Sequence, residues 1–165
     1  AIEVPNADPA SQPDGVASKT TTITPMSCLP VICGTIPVQE FASWNKTKVY
    51  VFPEDSNIDC NEGYSIDGSA VPYKDDYKAW CQSSGDFKIL KKCQIIECKV
   101  LPDVPHSSHD PAGPYFYKES VTYQMQPGYH INVPGVGSVN GSWTCHCGAD
   151  GKFNGTCAGE IKSVP

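Results

Sequence analysis

From Cys28 onward the apolar residues fall in short runs instead of along a helical stripe. Residues 48–52, 77–80, 87–90, 115–117 and 120–123 are rich in β-branched and aromatic side chains, and Gly, Pro, Asn and Asp separate the runs. Runs of this length bounded by turn formers predict strands, and a succession of them predicts small all-β units. Ahead of them, residues 1–27 hold four prolines and a hydroxyl run (Ser18, Thr20, Thr21, Thr22, Thr24) with little periodic apolar content. Such a segment cannot bury enough surface to offset its ordering entropy, so it is expected to be a disordered linker.

The pattern is repeated. Cys81, Gly85, Phe87 and Cys93 return as Cys147, Gly151, Phe153 and Cys157. A Gly-Tyr pair precedes each copy (Gly63-Tyr64 and Gly128-Tyr129), and further upstream comes a cysteine before a proline-bearing turn (Cys33 and Cys98). The offsets are 65 from Cys33 to Cys98, 65 from Gly63 to Gly128 and 66 from Cys81 to Cys147. An internal repeat of this period predicts two units of about 60 residues, a size at which an apolar core alone is marginal and needs staples. Only Gln94-Ile-Ile-Glu97 separates Cys93 from Cys98, so the units are expected to be joined end to end.

Nine cysteines supply the staples, and disulfides persist in oxidising compartments. Sequons at Asn45, Asn140 and Asn154 agree with a secretory route and are the candidate N-glycosylation sites. The expected location is therefore secreted or on the extracellular face of the cell surface. No run approaches the roughly 18 apolar residues of a membrane span. Ala1 is neither a methionine nor the start of a signal peptide, which suggests a mature or excised ectodomain piece. With a net charge of −6, twelve lysines and no arginine, the chain lacks the side chain best suited to bidentate phosphate or sulfate recognition. Nucleic acid and heparin are not expected partners.

These residues resemble the sushi, or complement control protein, family. Its pattern is four cysteines in a unit, a Gly-Tyr shortly after the second, and a Gly and an aromatic between the third and fourth. The first unit carries all of it: Cys33, Cys60 in C-N-E-G-Y, Cys81, Phe87 and Cys93. The resemblance covers residues 28–157 and implies bridges Cys33 to Cys81, Cys60 to Cys93 and Cys98 to Cys147. The second unit departs from the pattern, since Met125 stands where the second cysteine belongs and Cys145 is supernumerary. Phe87 and Phe153 replace the family's tryptophan. Cys157 is left to pair with Cys145, or else Cys28 bonds Cys145 or Cys157 within or between chains. Cys28 sits before Cys33 as Cys93 sits before Cys98, like the last cysteine of a preceding unit, and is the candidate unpaired or intermolecular thiol. The expected organisation is a linker at 1–27, a first module at 28–94, an atypical second module at 95–158 and a tail at 159–165.

Side chains that could carry chemistry have plainer readings beside them. Cys145-His-Cys147 has zinc-ligand residue types, but the disulfide reading is the stronger in an oxidising compartment. His106 and His109 with Asp110 offer a weak metal or pH-sensing loop, against a solvated loop between Pro105 and Pro111. Asp67, Asp75 and Asp76 lack calcium-loop spacing. No serine has a nucleophile-elbow setting, so no enzyme, cofactor or metal is expected. Lys88, Lys91 and Lys92 form a basic cluster that could meet an acidic partner or simply solvate a strand edge. Tyr115, Phe116 and Tyr117 are candidate contact residues, because alternate positions of a strand are exposed.

The resemblance implies a non-catalytic protein-binding or adhesion role, with another extracellular or cell-surface protein as partner. The alternative is a spacer or assembly unit of an extracellular filament, matrix or surface complex, disulfide-linked to neighbouring modules or further copies of itself.

Overall fold

The computed structural model describes residues 26–72, 74–110, 113–133, 136–155, 157 and 163–164. The linker expected at 1–27 lies almost wholly outside them. Among the described residues there is no helix, and strands form two similar units. The first is built on a four-stranded antiparallel sheet, Ala42–Ser43, Asp55–Cys60, Asp76–Cys81 and Phe87–Ile89, in that spatial order. The second repeats it with Ser107–His109, Ser120–Met125, Ser142–Cys147 and Phe153–Gly155.

Alternation along the strands sets the cores. In Asp76–Cys81 the side chains of Tyr77, Ala79 and Cys81 are buried while Asp76, Lys78 and Trp80 face out. Ser142–Cys147 buries Trp143, Cys145 and Cys147 in the same way, as a period of two requires when one sheet face is covered. Ile36, Tyr50 and Ile58 complete the first core. Val121, Tyr123, Ile131 and Phe153 join the second. Tyr123 stacks on Trp143 at 5.1 Å between ring centres and donates its hydroxyl to the Pro102 carbonyl at 2.7 Å. Burial, with the charges of Tyr115 and Asp103 adding to it, raises the pKa of that phenol.

Bridges hold the sheets at both ends. Cys33 pairs with Cys81 and Cys60 with Cys93, at Cα separations of 5.7 and 5.5 Å. Cys98 pairs with Cys147 at 5.8 Å and Cys145 with Cys157 at 5.5 Å. Met125 explains the last pairing. It occupies the position of Cys60: its neighbour across the ladder is Ser107, as Ala42 is that of Cys60, and its N–H donates to Gly141 as that of Cys60 does to Asp75. The thioether fills the core there at 5% exposure. Cys145 takes the fully buried position of Ala79 and reaches Cys157. Among the described residues, Cys28 is the thiol outside a disulfide, and it is exposed.

Short pairings finish each unit. Ile32–Gly34 pairs with Tyr50–Val51, and Glu97–Cys98 pairs with Tyr115–Phe116 in the second unit. Gln94–Ile95 pairs with Tyr64–Ser65 of the first unit. Ser163–Val164, expected in a tail, pairs with His130–Val133 of the second unit. These residues complete ladders that the cysteine frame does not mark.

Two further features recur at the repeat offset. Glu54 accepts the Val51 N–H at 2.9 Å and Glu119 accepts the Phe116 N–H at 2.8 Å, each closing the turn that leads into the long strand. The Val51 bond, then the Lys48 ammonium, lowers the pKa of Glu54. Phe41 and His106 both hold φ at 56° and stack on the tyrosine of the Gly-Tyr pair, Phe41 on Tyr64 at 4.5 Å and His106 on Tyr129 at 3.9 Å. A left-handed aromatic residue is strained. Here the ring stack and a bond from Asn61 N–H, or Gln126 N–H, to its carbonyl hold it in place.

Candidate interaction surfaces

The joint between the units is a built contact. Ile96 belongs to neither core, yet it is only 5% exposed. Its N–H donates to the Gly63 carbonyl at 2.9 Å, and its carbonyl accepts from Tyr117 N–H at 2.9 Å. Glu97 N–H donates to the Gly68 carbonyl at 3.0 Å. Gly63 is glycine for two reasons: its φ is +82°, and a Cβ there would fall inside the Tyr117 ring. Gly151 closes the other side, with a Cβ position 3.0 Å from the Ala70 Cβ and 3.7 Å from Ile96. The Gly-Tyr pair, read in the sequence as a repeat marker, is thus also the seat of the joint.

Beside the joint, Asp67 is gripped by the Lys74 ammonium, and it accepts from the hydroxyl and N–H of Ser69 at 2.6 and 3.0 Å. Lys74 first, then Ser69, holds its carboxyl well below the usual carboxylate range. A lowered folded pKa means that this contribution is complete above the unfolded value, about 3.9, and is lost as pH falls through the folded one. A carboxyl-detected NMR titration should find Asp67 still ionised at about pH 3 and, in Lys74→Ala, titrating closer to 3.9. An unchanged midpoint in the variant would refute the pairing.

The sequence-derived candidates separate as follows. Tyr115 is half-buried and packs edge-on against Phe153 at 5.7 Å; Phe116 is half-buried too; Tyr117 is occupied by the joint. Lys88, Lys91 and Lys92 are exposed. Cys145 and Cys147 are both disulfide-bonded, so their sulfurs cannot ligate zinc, and His146 faces away from them. His106 stacks on Tyr129 while His109 leans on Tyr123 at 5.4 Å, so the two imidazoles do not converge. Asp67 is taken by Lys74 and not shared with Asp75 and Asp76. Asn45 accepts the Thr47 and Lys48 N–H groups through its oxygen, whereas Asn154 uses its amide nitrogen, the atom a glycan would take, on Asp150 at 3.4 Å. Asn140 is exposed.

Exposed apolar residues concentrate in the first unit and its N-terminal approach. Val31, Ile32, Val38, Phe41, Val49 and Phe52 are 41%, 66%, 87%, 51%, 55% and 42% exposed, whereas the second unit contributes Val100 and Val136 among its described residues. No sequence motif marks them. Aligning the halves at the repeat offset would have found Val31, Phe41 and Phe52 as counterparts of Ile96, His106 and Tyr117.

The fold and its bridges define the class: two small disulfide-stapled β modules in tandem, which need an oxidising compartment to form. No family model matches the chain. A search of the curated proteins returns no match.

Proposed function

We propose that the chain carries two sushi-like modules of a secreted or cell-surface protein and acts without catalysis, by binding another extracellular protein through its first module. The excess of exposed large apolar side chains there over the described part of the second module supports this most directly. The turn at 38–41 is the favoured anchor: Val38 stands 87% exposed, and Phe41 is held outward by its stack on Tyr64. Val38→Asp with Phe41→Asn removes the apolar tip, and asparagine tolerates the left-handed backbone. Capture of an extracellular protein from native fluid should fall at least about tenfold, as expected when an anchor worth about 1.4 kcal/mol or more is lost. Equal capture by the folded variant would refute that anchor.

A second reading, an assembly unit of an extracellular complex, is supported by the exposed Cys28 thiol. It predicts oligomers on non-reducing electrophoresis of the native protein that collapse to monomer on reduction.

A further inference from the structure

The chain holds two Asn-Gly pairs, Asn140-Gly141 and Asn154-Gly155, and the fold treats them differently. An asparagine followed by glycine carries its own modifying chemistry, because no Cβ shields the next main-chain nitrogen from the side-chain amide. Attack requires that nitrogen to swing toward the amide carbon. A residue held in a paired strand must first leave its ladder, at the free-energy cost of local opening.

Asn140 and Gly141 stand between Gly137–Val139 and Ser142–Cys147, and neither belongs to a strand. Asn140 is exposed. Gly141 holds φ at +90°, and its carbonyl accepts the Met125 N–H at 2.8 Å. Among the described residues no acceptor meets its own N–H, and apart from its chain neighbours no described atom lies within 4 Å of its Cβ position. The nitrogen is therefore open to react. Asn154 is placed otherwise: it lies in Phe153–Gly155 opposite His146, and Gly155 lies opposite Cys145. Its amide nitrogen donates to Asp150 at 3.4 Å and sits 1.8 Å from the Cβ position of Gly148, in space that only a glycine leaves free. Ladder and side-chain contact both pin it.

We propose that Asn140 is a site of spontaneous deamidation and that the fold protects Asn154 from the same reaction. The Gly141 nitrogen gives up its proton and bonds to the carbonyl carbon of the Asn140 side chain. The bond from that carbon to the amide nitrogen breaks, and the nitrogen leaves as ammonia. Water then opens the resulting succinimide at either carbonyl. The product is aspartate or isoaspartate at position 140, with one water consumed, one ammonia released and no change of oxidation state. Position 140 gains a negative charge and, as isoaspartate, an extra main-chain atom just before Gly141, whose carbonyl anchors Met125. The nitrogen that leaves is the one a glycan would take, so glycosylation and deamidation exclude each other at this sequon. Neither a partner nor assembly is needed, only the folded chain and water.

Peptide mapping by mass spectrometry tests it, on protein produced with N-glycosylation blocked, its bridges intact, and aged at mildly alkaline pH. The peptide holding Asn140 should gain one mass unit and split into aspartate and isoaspartate forms. It should do so at least about tenfold faster than the peptide holding Asn154, which reacts only when its ladder opens. In the reduced, unfolded chain both sites are free Asn-Gly pairs, and their rates should agree within about threefold. Asn140→Gln should remove the fast site and leave the behaviour of Asn154 as it was. A folded protein whose Asn140 stays unchanged while the unfolded chain reacts would overturn the proposal. So would an Asn154 that reacts as fast as Asn140 in the folded protein, or one that stays slow in the unfolded chain.

Discussion

Replacing Cys33 and Cys81 together by alanine is expected to unfold the first unit while the second keeps its structure. The bridge spans a sequence separation of 48 residues, and a loop of that length constrains the unfolded chain by about 4 kcal/mol in the chain-entropy model. A unit this small has only about 3–5 kcal/mol from its core, so the loss consumes most of the margin. Removing Cys145 and Cys157, 12 residues apart, should cost less, about 3 kcal/mol in the same model. Amide spectra separate the outcomes. Dispersed resonances should vanish for residues around Tyr77 and Ile58 and survive around Tyr123 and Val121. Retention of a folded first unit with a melting temperature within a few degrees of the parent would show that its core and the Cys60–Cys93 bridge suffice.

Gly63→Ala should uncouple the two units. The left-handed backbone costs an L-residue about 1–2 kcal/mol, and the new methyl group must displace the Tyr117 ring, adding about 1–3 kcal/mol of overpacking. Both terms fall on the joint, since the Gly63 carbonyl receives Ile96 and Tyr117 closes over it. Relaxation measurements should change from one common tumbling time to two, and contacts between Gly63 and Tyr117 should disappear. Tyr117→Ala in the same chain should recover the steric part but not the backbone strain, so the double-mutant cycle gives a favourable coupling. Additive effects would place the ring elsewhere in solution.

How much of this was legible in the sequence depends on how local the determining physics is. The strand runs were visible because β-branched and aromatic residues gather in short stretches between turn formers, whereas the outward face of Trp80 beside buried Ala79 and Cys81 shows only in the folded sheet. The repeat was visible because each cysteine must keep its distance from a partner. The contact candidates were less legible. Tyr115, Phe116 and Tyr117 all read as β-prone aromatics, and nothing within residues 115–117 says that Tyr115 meets Phe153 or that Tyr117 covers Gly63. Lys88, Lys91 and Lys92 were read as surface residues and are exposed, but exposure alone gives a lysine no partner.

The sequence by itself determined an all-β chain in two stapled units, because β-prone runs, turn residues and cysteine spacing act over short stretches and leave few other folds open. Tertiary structure decided the rest. The rescue of a unit lacking its second cysteine depends on Met125 filling one buried site while Cys145 occupies the place of Ala79, and strand pairing brings those positions together. The same holds for the joint: Gly63, Ile96, Tyr117 and Gly151 are scattered along the chain and meet only once both sheets have formed. Long-range packing of this kind leaves only a glycine or an aromatic at each site, and its meaning emerges when the neighbours are in place.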